Sequence, residues 1–141
     1  MIQAKAKCEC GTIVLDIEFN QELNSLVPRK CDCDFCCENN VVYISDPLGK
    51  VKLSVGDFDD FQITKQGSQT ADFLSCKQCN NILLVLYQEN EKTFCALNYQ
   101  LLDNKINFNK TITVSPKLLS PKEKQTRWKQ VWFKQVDLGL G

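Results

Sequence analysis

Cysteine is the residue type in this chain with the clearest chemical potential: there are nine, and seven of them fall in three compact motifs. The motifs are Cys8-x-Cys10-Gly11, Cys31-x-Cys33-x-x-Cys36 and Cys76-x-x-Cys79-Asn80-Asn81. A pair of cysteines followed by residues that accept a positive φ lets a tight turn aim two thiolates at one metal ion. Two pairs make the four thiolates of a tetrahedral zinc site. The first and last motifs therefore predict a structural zinc ion on Cys8, Cys10, Cys76 and Cys79.

The middle motif supplies three more thiolates, from Cys31, Cys33 and Cys36. Three protein ligands leave the fourth coordination position open, which is the arrangement of a zinc ion that binds water or a substrate. Two other interpretations stay open for this motif. It could be a second structural site, with Cys37 as the fourth ligand, or a set of redox-sensitive thiols without metal. The isolated Cys95 is predicted to be a small buried core residue.

Acidic residues surround the middle motif in the sequence, at Asp32, Asp34 and Glu38. They are candidates for proton transfer or for hydrogen bonds to the cysteine ligands, and otherwise they are exposed turn residues. Their charge, added to three thiolates, opposes the binding of a strongly anionic substrate unless zinc and distant lysines compensate.

The overall composition excludes several classes of function. The chain of 141 residues contains no histidine, so Cys-His and Ser-His nucleophile pairs, HExxH zinc sites and imidazole bases are all excluded. Lys+Arg and Asp+Glu number 17 each and the sequence pI is about 6.3. This balance lacks the basic excess of a nucleic-acid-binding protein, so no nucleic-acid partner is expected.

The sequence also predicts a cytoplasmic protein without a membrane segment. Its N-terminus has no apolar signal region, and its longest apolar run, Ile82 to Tyr87, is six residues. A membrane-spanning helix needs roughly 20 apolar residues. Disulfides do not persist in the reducing cytoplasm, which favours thiolate metal ligands over cystines.

The elements that must position the cysteines are mostly short segments of period two, in which Ile13, Leu15 and Ile17 alternate with polar residues. Turns are predicted at 46–49 and at 89–92, the second closing a hairpin. The fold class is therefore mainly β. The predicted strands are Gln3–Lys7, Thr12–Phe19, Val41–Ser45, Val51–Val55, Asp60–Lys65, Ala71–Leu74, Ile82–Tyr87, Thr93–Leu97 and Thr111–Val114.

One helix is predicted near the C-terminus. Ser120, Pro121 and Glu123 have the pattern of a capping box with proline at the first helical position, and the helix is expected to run to about Gln135. Trp128, Val131 and Trp132 share one face at helical spacing and are predicted to pack on a sheet. Because no repeat or linker composition interrupts the chain, residues 1–141 are predicted to form a single zinc-binding domain.

The order of the three cysteine motifs resembles that of the glutathione-dependent formaldehyde-activating enzyme family, which includes centromere protein V. The resemblance covers Cys8 to about Asp103, with Leu101-Leu102-Asp103 where family members often have Leu-Asp. It implies several coiled antiparallel sheets held by zinc, of the β-tent type. It also implies a structural zinc on the four outer cysteines and a second zinc on Cys31, Cys33 and Cys36.

The activity that this resemblance implies is that of a zinc-dependent carbon–sulfur lyase acting on a small thiol adduct such as S-hydroxymethylglutathione. Family members place basic residues after the third cysteine of the middle motif, whereas this chain has Cys37 and Glu38. Fewer cations predict weaker capture of glutathione, which carries two carboxylates. The alternative is a non-catalytic, zinc-stabilised binding module. The sequence leaves the oligomeric state open.

Overall fold

Short apolar segments form eleven β-strands in the part of the chain that the computed structural model describes, residues 2–22, 26, 28–31, 41–65, 71–102, 112–114 and 120–139. One α-helix, α1 (Pro121–Val131), and two short 3₁₀ helices at Phe58–Asp60 and Tyr99–Leu101 complete the elements in those residues. The mainly β class with a helix near the C-terminus is confirmed. The strands are β1 (Ile2–Lys7), β2 (Val14–Phe19), β3 (Arg29–Cys31), β4 (Val42–Ile44), β5 (Lys50–Val55), β6 (Phe61–Lys65), β7 (Asp72–Cys76), β8 (Ile82–Glu89), β9 (Lys92–Asn98), β10 (Ile112–Val114) and β11 (Gln135–Asp137).

The strands belong to two sheets. One has four strands in the order β1-β2-β5-β11, and the other has seven in the order β10-β3-β4-β9-β8-β7-β6. Neighbouring strands are antiparallel, except that β10 pairs with β3 and β11 with β5 in parallel. A parallel pair needs a long connection between its strands, and both of these strands join partners far back in the chain. The expectation of antiparallel sheets therefore holds for the main body of each sheet, and parallel strands are added at its edge.

The main core lies between the two sheets. Ile13 and the alternate β2 residues Leu15, Ile17 and Phe19 are fully buried, as their period-two pattern predicts. They belong to one apolar cluster with residues of the seven-stranded sheet, such as Leu84 of β8. Each sheet thus covers the apolar face of the other.

Helix α1 covers the opposite face of the seven-stranded sheet. The predicted capping box is present: the Ser120 hydroxyl accepts from the Glu123 N–H, and the Glu123 carboxylate accepts from the Ser120 N–H, each at 3.2 Å. Trp128 and Trp132 stack with ring centroids 4.9 Å apart and pack with Val131 against a second apolar cluster that includes Tyr87. The predicted packing of this helical face on a sheet is confirmed.

The helix ends four residues earlier than predicted, at Val131 instead of about Gln135. Trp132 is already extended, and Phe133 exchanges backbone hydrogen bonds with Cys95 of β9 at 2.9 and 3.1 Å. Gln135 then begins β11. Pairing with two separate strands outweighs the helical periodicity of this segment.

Two strands were not predicted. The segment of β11 follows a helical pattern in the sequence, and β3 is only three residues long and contains the charged residues Arg29 and Lys30. Asp60, predicted as the first residue of a strand, ends a 3₁₀ helix instead. The predicted turn between β8 and β9 is present, with Asn90 and Glu91 both at positive φ. The helices in the described ranges include none long and apolar enough to cross a membrane.

Candidate metal centre

The first cysteine turn connects β1 to β2. Cys8 follows β1 directly, and Gly11, at φ 78°, turns the chain so that its N–H donates to the Cys8 carbonyl at 3.0 Å. The N–H of Ile13 donates to the Cys8 sulfur at 3.3 Å. A positive φ suits glycine, so the residue after Cys10 is the one that permits this turn.

The second cysteine turn connects β7 to β8. Cys76 is the last residue of β7, and its carbonyl accepts from the N–H of Asn80 at 2.8 Å. Asn80 lies at φ 63°, a conformation that asparagine tolerates better than most residues. The Cys76 N–H donates to the Asn81 carbonyl at 2.9 Å, which closes the turn and leaves Cys79 at its tip.

The two turns bring four sulfur atoms together. The Cys10 sulfur lies 3.6 Å from that of Cys8 and 3.5 Å from that of Cys76. All four sulfurs, including that of Cys79, lie within 4.8 Å of one another. A tetrahedron with Zn–S bonds of about 2.3 Å has edges of about 3.8 Å, whereas a disulfide bond is only about 2.05 Å long. The spacing fits four ligands of one metal ion such as zinc, and it excludes disulfides among the closest pairs.

The centre lies at the seam between the two sheets, because β1 and β2 belong to one sheet and β7 and β8 to the other. The side-chain oxygen of Asn81 accepts from the backbone N–H of Glu9 at 2.8 Å and lies 3.3 Å from the Cys79 sulfur. Asn81 therefore joins both turns directly. Its position after Cys79 indicates only a turn residue, since spacing does not show which distant backbone group an amide will reach.

The environment shifts the pKa values of the Cys10 and Cys76 thiols in opposite directions. Hydrogen bonds from the Thr12 hydroxyl and backbone N–H lower the pKa of the exposed Cys10 thiol to about 6. Burial raises the pKa of the Cys76 thiol to about 12. A bound cation would oppose the effect of burial on Cys76, because metal ligation stabilises the thiolate form. Cys95 lies fully buried in the core on β9, as predicted, and burial raises the pKa of its thiol well above the ordinary value.

Cys31, the residue of the middle motif that the structure describes, lies apart from this centre. Cys31 is the last residue of β3, which three strands (β4, β9 and β8) separate from β7. Four steps of about 4.8 Å place the two strands about 19 Å apart across the sheet. The other cysteines and acids of the motif lie outside the described residues, so the three-ligand site stays a prediction. They are Cys33, Cys36, Cys37, Asp32, Asp34 and Glu38.

An arginine near the start of this motif, Arg29, was not singled out from the sequence. Arg29, two residues before Cys31, is partly buried, and its guanidinium donates to the Ser45 hydroxyl at 2.5 Å. Burial and the positive charge of Arg127 on α1 lower the pKa of Arg29 to about 10. Because Arg29 and Arg127 are distant in sequence, no local pattern indicates that the charge of one acts on the other.

An open groove of about 760 Å³ lies at the opposite end of the β8–β9 hairpin from the cysteine turn. It is lined in part by Phe94, Lys92, Lys129 and Glu89. Lys129 pairs with Glu89 at 2.9 Å, and this contact holds the pKa of the Glu89 carboxyl below its ordinary value. Within the described part of the chain, the groove thus contains one cation, Lys129, that is paired with an acid of the same groove, and no cysteine.

The fold is shared with a known protein. A crystal structure of a Rhodobacter sphaeroides protein, solved as a Northeast Structural Genomics target, aligns with a TM-score of 0.60 at 19% identity, covering 78% of this chain and 99% of that chain. This likeness shows a common fold and does not extend to an activity. No family model and no curated protein matches the sequence.

Proposed function

We propose that this chain is a zinc protein of the glutathione-dependent formaldehyde-activating type, in which Cys8, Cys10, Cys76 and Cys79 hold one structural zinc ion. The observation that carries the proposal is the convergence of four sulfurs from two distant turns. Four thiolates favour zinc over the hard cations magnesium and calcium, which take oxygen ligands. A closed set of four protein ligands is typical of a structural site.

The second part of the proposal concerns the middle motif, where Cys31, Cys33 and Cys36 would hold a second zinc ion with one open position. Such an ion supplies a Lewis acid next to a reacting thiol adduct. In the cleavage direction the carbon–sulfur bond of an S-hydroxymethyl thiol breaks, the hydroxyl proton leaves oxygen, and the products are the free thiol and formaldehyde. Asp32 or Asp34 would carry the proton from oxygen to sulfur.

The test measures metal and reaction separately. Protein purified without added chelator is expected to contain about two zinc ions per chain, and the Cys33→Ser variant about one with an unchanged circular dichroism spectrum. Formaldehyde is then mixed with glutathione, and separately with 2-mercaptoethanol as a neutral thiol, and exchange with the adduct is followed by NMR. Acceleration that disappears in Cys33→Ser supports the lyase.

Two results would refute parts of the proposal. Wild-type protein that contains two zinc ions and accelerates exchange of neither thiol is a zinc-stabilised binding module instead of a lyase. A Cys79→Ser variant that stays soluble, with unchanged metal content and thermal stability, would overturn the structural site itself, because such zinc ions contribute directly to folding.

A further inference from the structure

Strand β6 is the last strand on one side of the seven-stranded sheet, among the residues that the structure describes. It pairs with β7 along its whole length, from Phe61 opposite Cys76 to Lys65 opposite Asp72. A strand at the edge of a sheet has backbone N–H and C=O groups that can pair with another chain.

Alternate residues of β6 direct these backbone groups away from β7. The N–H of Lys77 donates to the carbonyl of Asp60 at 3.0 Å, in the register that continues from Asp60 into β6. Hydrogen-bonded and non-hydrogen-bonded pairs alternate along an antiparallel ladder, so Gln62 and Thr64 bond to β7. The residues whose N–H and C=O groups point outward are Phe61, Ile63 and Lys65.

A second hydrogen bond gives the same alternation. The N–H of Cys76 donates to the Asn81 carbonyl at 2.9 Å, on the β8 side of β7. Because the backbone groups of one residue bond on one side of its strand, Cys76 does not bond to Phe61, which stands opposite it on β6. Phe61 therefore belongs to the outward-facing set.

The side chains of β6 also leave an apolar group at this edge. Phe61 is buried in the main core, whereas Ile63, which follows it on the same face, is 49% exposed. Ile63 stands opposite Leu74, which is fully buried. At the edge of the other sheet, by contrast, Ala6 of β1 forms a backbone bridge with Leu102. The inner face of the seven-stranded sheet thus reaches solvent at Ile63.

The two ends of β6 carry opposite charges. The turn before the strand contains Asp57, Asp59 and Asp60, and Asp59 is exposed. Lys65 is the last residue of the strand, and its side chain is 54% exposed although it pairs with Asp72. A strand with unlike charges at its ends complements an antiparallel copy of itself, because each acidic end meets a basic end.

We propose that β6 pairs with β6 of a second copy of this chain, antiparallel and about a two-fold axis at Ile63. Ile63 exchanges hydrogen bonds with its counterpart, and Phe61 with Lys65 of the second copy, so the outward groups all find partners. Lys65 of each copy lies beside the acidic turn of the other. Because β6 has five residues, the interface is small and reversible, with monomers in dilute solution. The pairing goes beyond the zinc proposal, since no cysteine takes part in it.

The experiment follows self-association of the protein as purified, under reducing conditions. Sedimentation velocity is measured from about 10 µM to about 1 mM chain, a range in which small interfaces dissociate. A reversible change from monomer to dimer with rising concentration is expected. A monomer throughout the range would overturn the proposal.

The contact itself is observed by isotope-filtered NOESY on a mixture of ¹³C-labelled and unlabelled chains. The α proton of Gln62 should contact the α proton of Thr64 of the second copy, because these residues form a non-hydrogen-bonded pair with Cα atoms about 4.5 Å apart. A dimer that lacks this contact uses another surface, and this result would also overturn the proposal.

The variant Ile63→Lys places two lysines opposite each other at the axis. It is expected to weaken association by about tenfold or more, because like charges oppose each other and an apolar contact is lost. The matched control is Val55→Lys, which makes the same kind of change at a side chain that is also 49% exposed. Val55→Lys should associate as the wild type does, and equal association of both variants would count against β6.

A mixture of two variants tests whether the partner is a second copy. Ile63→Asp alone should also associate weakly, but an equimolar mixture with Ile63→Lys should associate more tightly than either variant, since unlike charges then meet at the axis. A surface for a different protein does not predict this rescue. Failure of the mixture to associate more tightly would overturn the two-fold register. The metal content should be the same in all these variants, which separates this test from that of the zinc sites.

Discussion

The Asn81 amide joins both cysteine turns by polar contacts, to the Glu9 N–H and to the Cys79 sulfur. Residues that orient metal ligands in this way commonly affect metal affinity almost as strongly as the ligands do. Its loss would leave the Glu9 N–H without its acceptor and the tip of the second turn less fixed.

Asn81→Ala is therefore expected to cost about 1–2 kcal/mol of unfolding free energy and to weaken metal retention by about 10–100-fold. Chemical denaturation measures the first and competition with a chelator the second. The matched control is Asn80→Gly at the neighbouring exposed position, where glycine accepts the positive φ. Equal chelator sensitivity in the two variants would contradict the role of Asn81.

Individual residues were predictable from the sequence where the information is local. Cys8 and Cys10, or Cys76 and Cys79, are recognisable by spacing because one turn sets the positions of both sulfurs. Contacts between distant segments were not predictable. The hydrogen bonds of Asn81 with Glu9, and of Arg29 with Ser45, depend on how whole strands pack.

Among the elements, α1 shows most clearly where local signals suffice. Its capping box was visible in the sequence because Ser120 and Glu123 satisfy each other's backbone groups within one turn. The end of α1 was not visible in the sequence. The helical spacing of apolar residues continues to Trp132, and the helix ends because Phe133 pairs with the distant Cys95. The hairpin turn at Asn90 and Glu91 was predictable because it is closed locally.

The capping box gives α1 a pH dependence. Hydrogen bonds from Ser120 lower the pKa of the Glu123 carboxyl below its ordinary value. Because the folded pKa is the lower one, this contribution to stability is fully present above the unfolded value of about 4.3 and is lost as the pH falls through the folded value. Glu123→Gln keeps a hydrogen-bonding side chain and has no charge to titrate.

The stability advantage of wild type over Glu123→Gln should therefore be larger at about pH 6 than at about pH 3, which urea unfolding of both proteins measures. The comparison cancels the titration of other carboxyls, such as Asp16 and Glu89, which both proteins share. An advantage that is the same at both pH values would show that the Glu123 charge does not contribute.

In the molecule as a whole, Phe133 connects the two sheets. It is fully buried, its ring lies 5.7 Å from that of Phe19 on the four-stranded sheet, and its backbone pairs with Cys95 on the seven-stranded sheet. It also packs so closely on Gly49 that a Cβ there would come within 2.7 Å of the ring. A side chain at position 49 would therefore require the Phe133 ring or the adjacent backbone to move.

Phe133→Ala is expected to cost about 3–5 kcal/mol of unfolding free energy, because it removes a buried ring and leaves a cavity between the sheets. Phe133→Leu fills part of that space and should cost less. Leu48→Ala, at a side chain that is 65% exposed, is the control and should change stability little. If Phe133→Ala were no more destabilising than Leu48→Ala, Phe133 would not be what holds the sheets together.

The seam position of the four cysteines has a consequence for refolding. Each pair forms within one turn, but 66 residues separate Cys10 from Cys76, and closing a loop of that length in an unfolded chain costs about 4 kcal/mol of entropy. An ion that reaches the unfolded protein at high concentration can instead take one pair from each of two molecules. Zinc added at the start of refolding should therefore produce metal-bridged dimers, and zinc added after the sheets have packed should produce monomers.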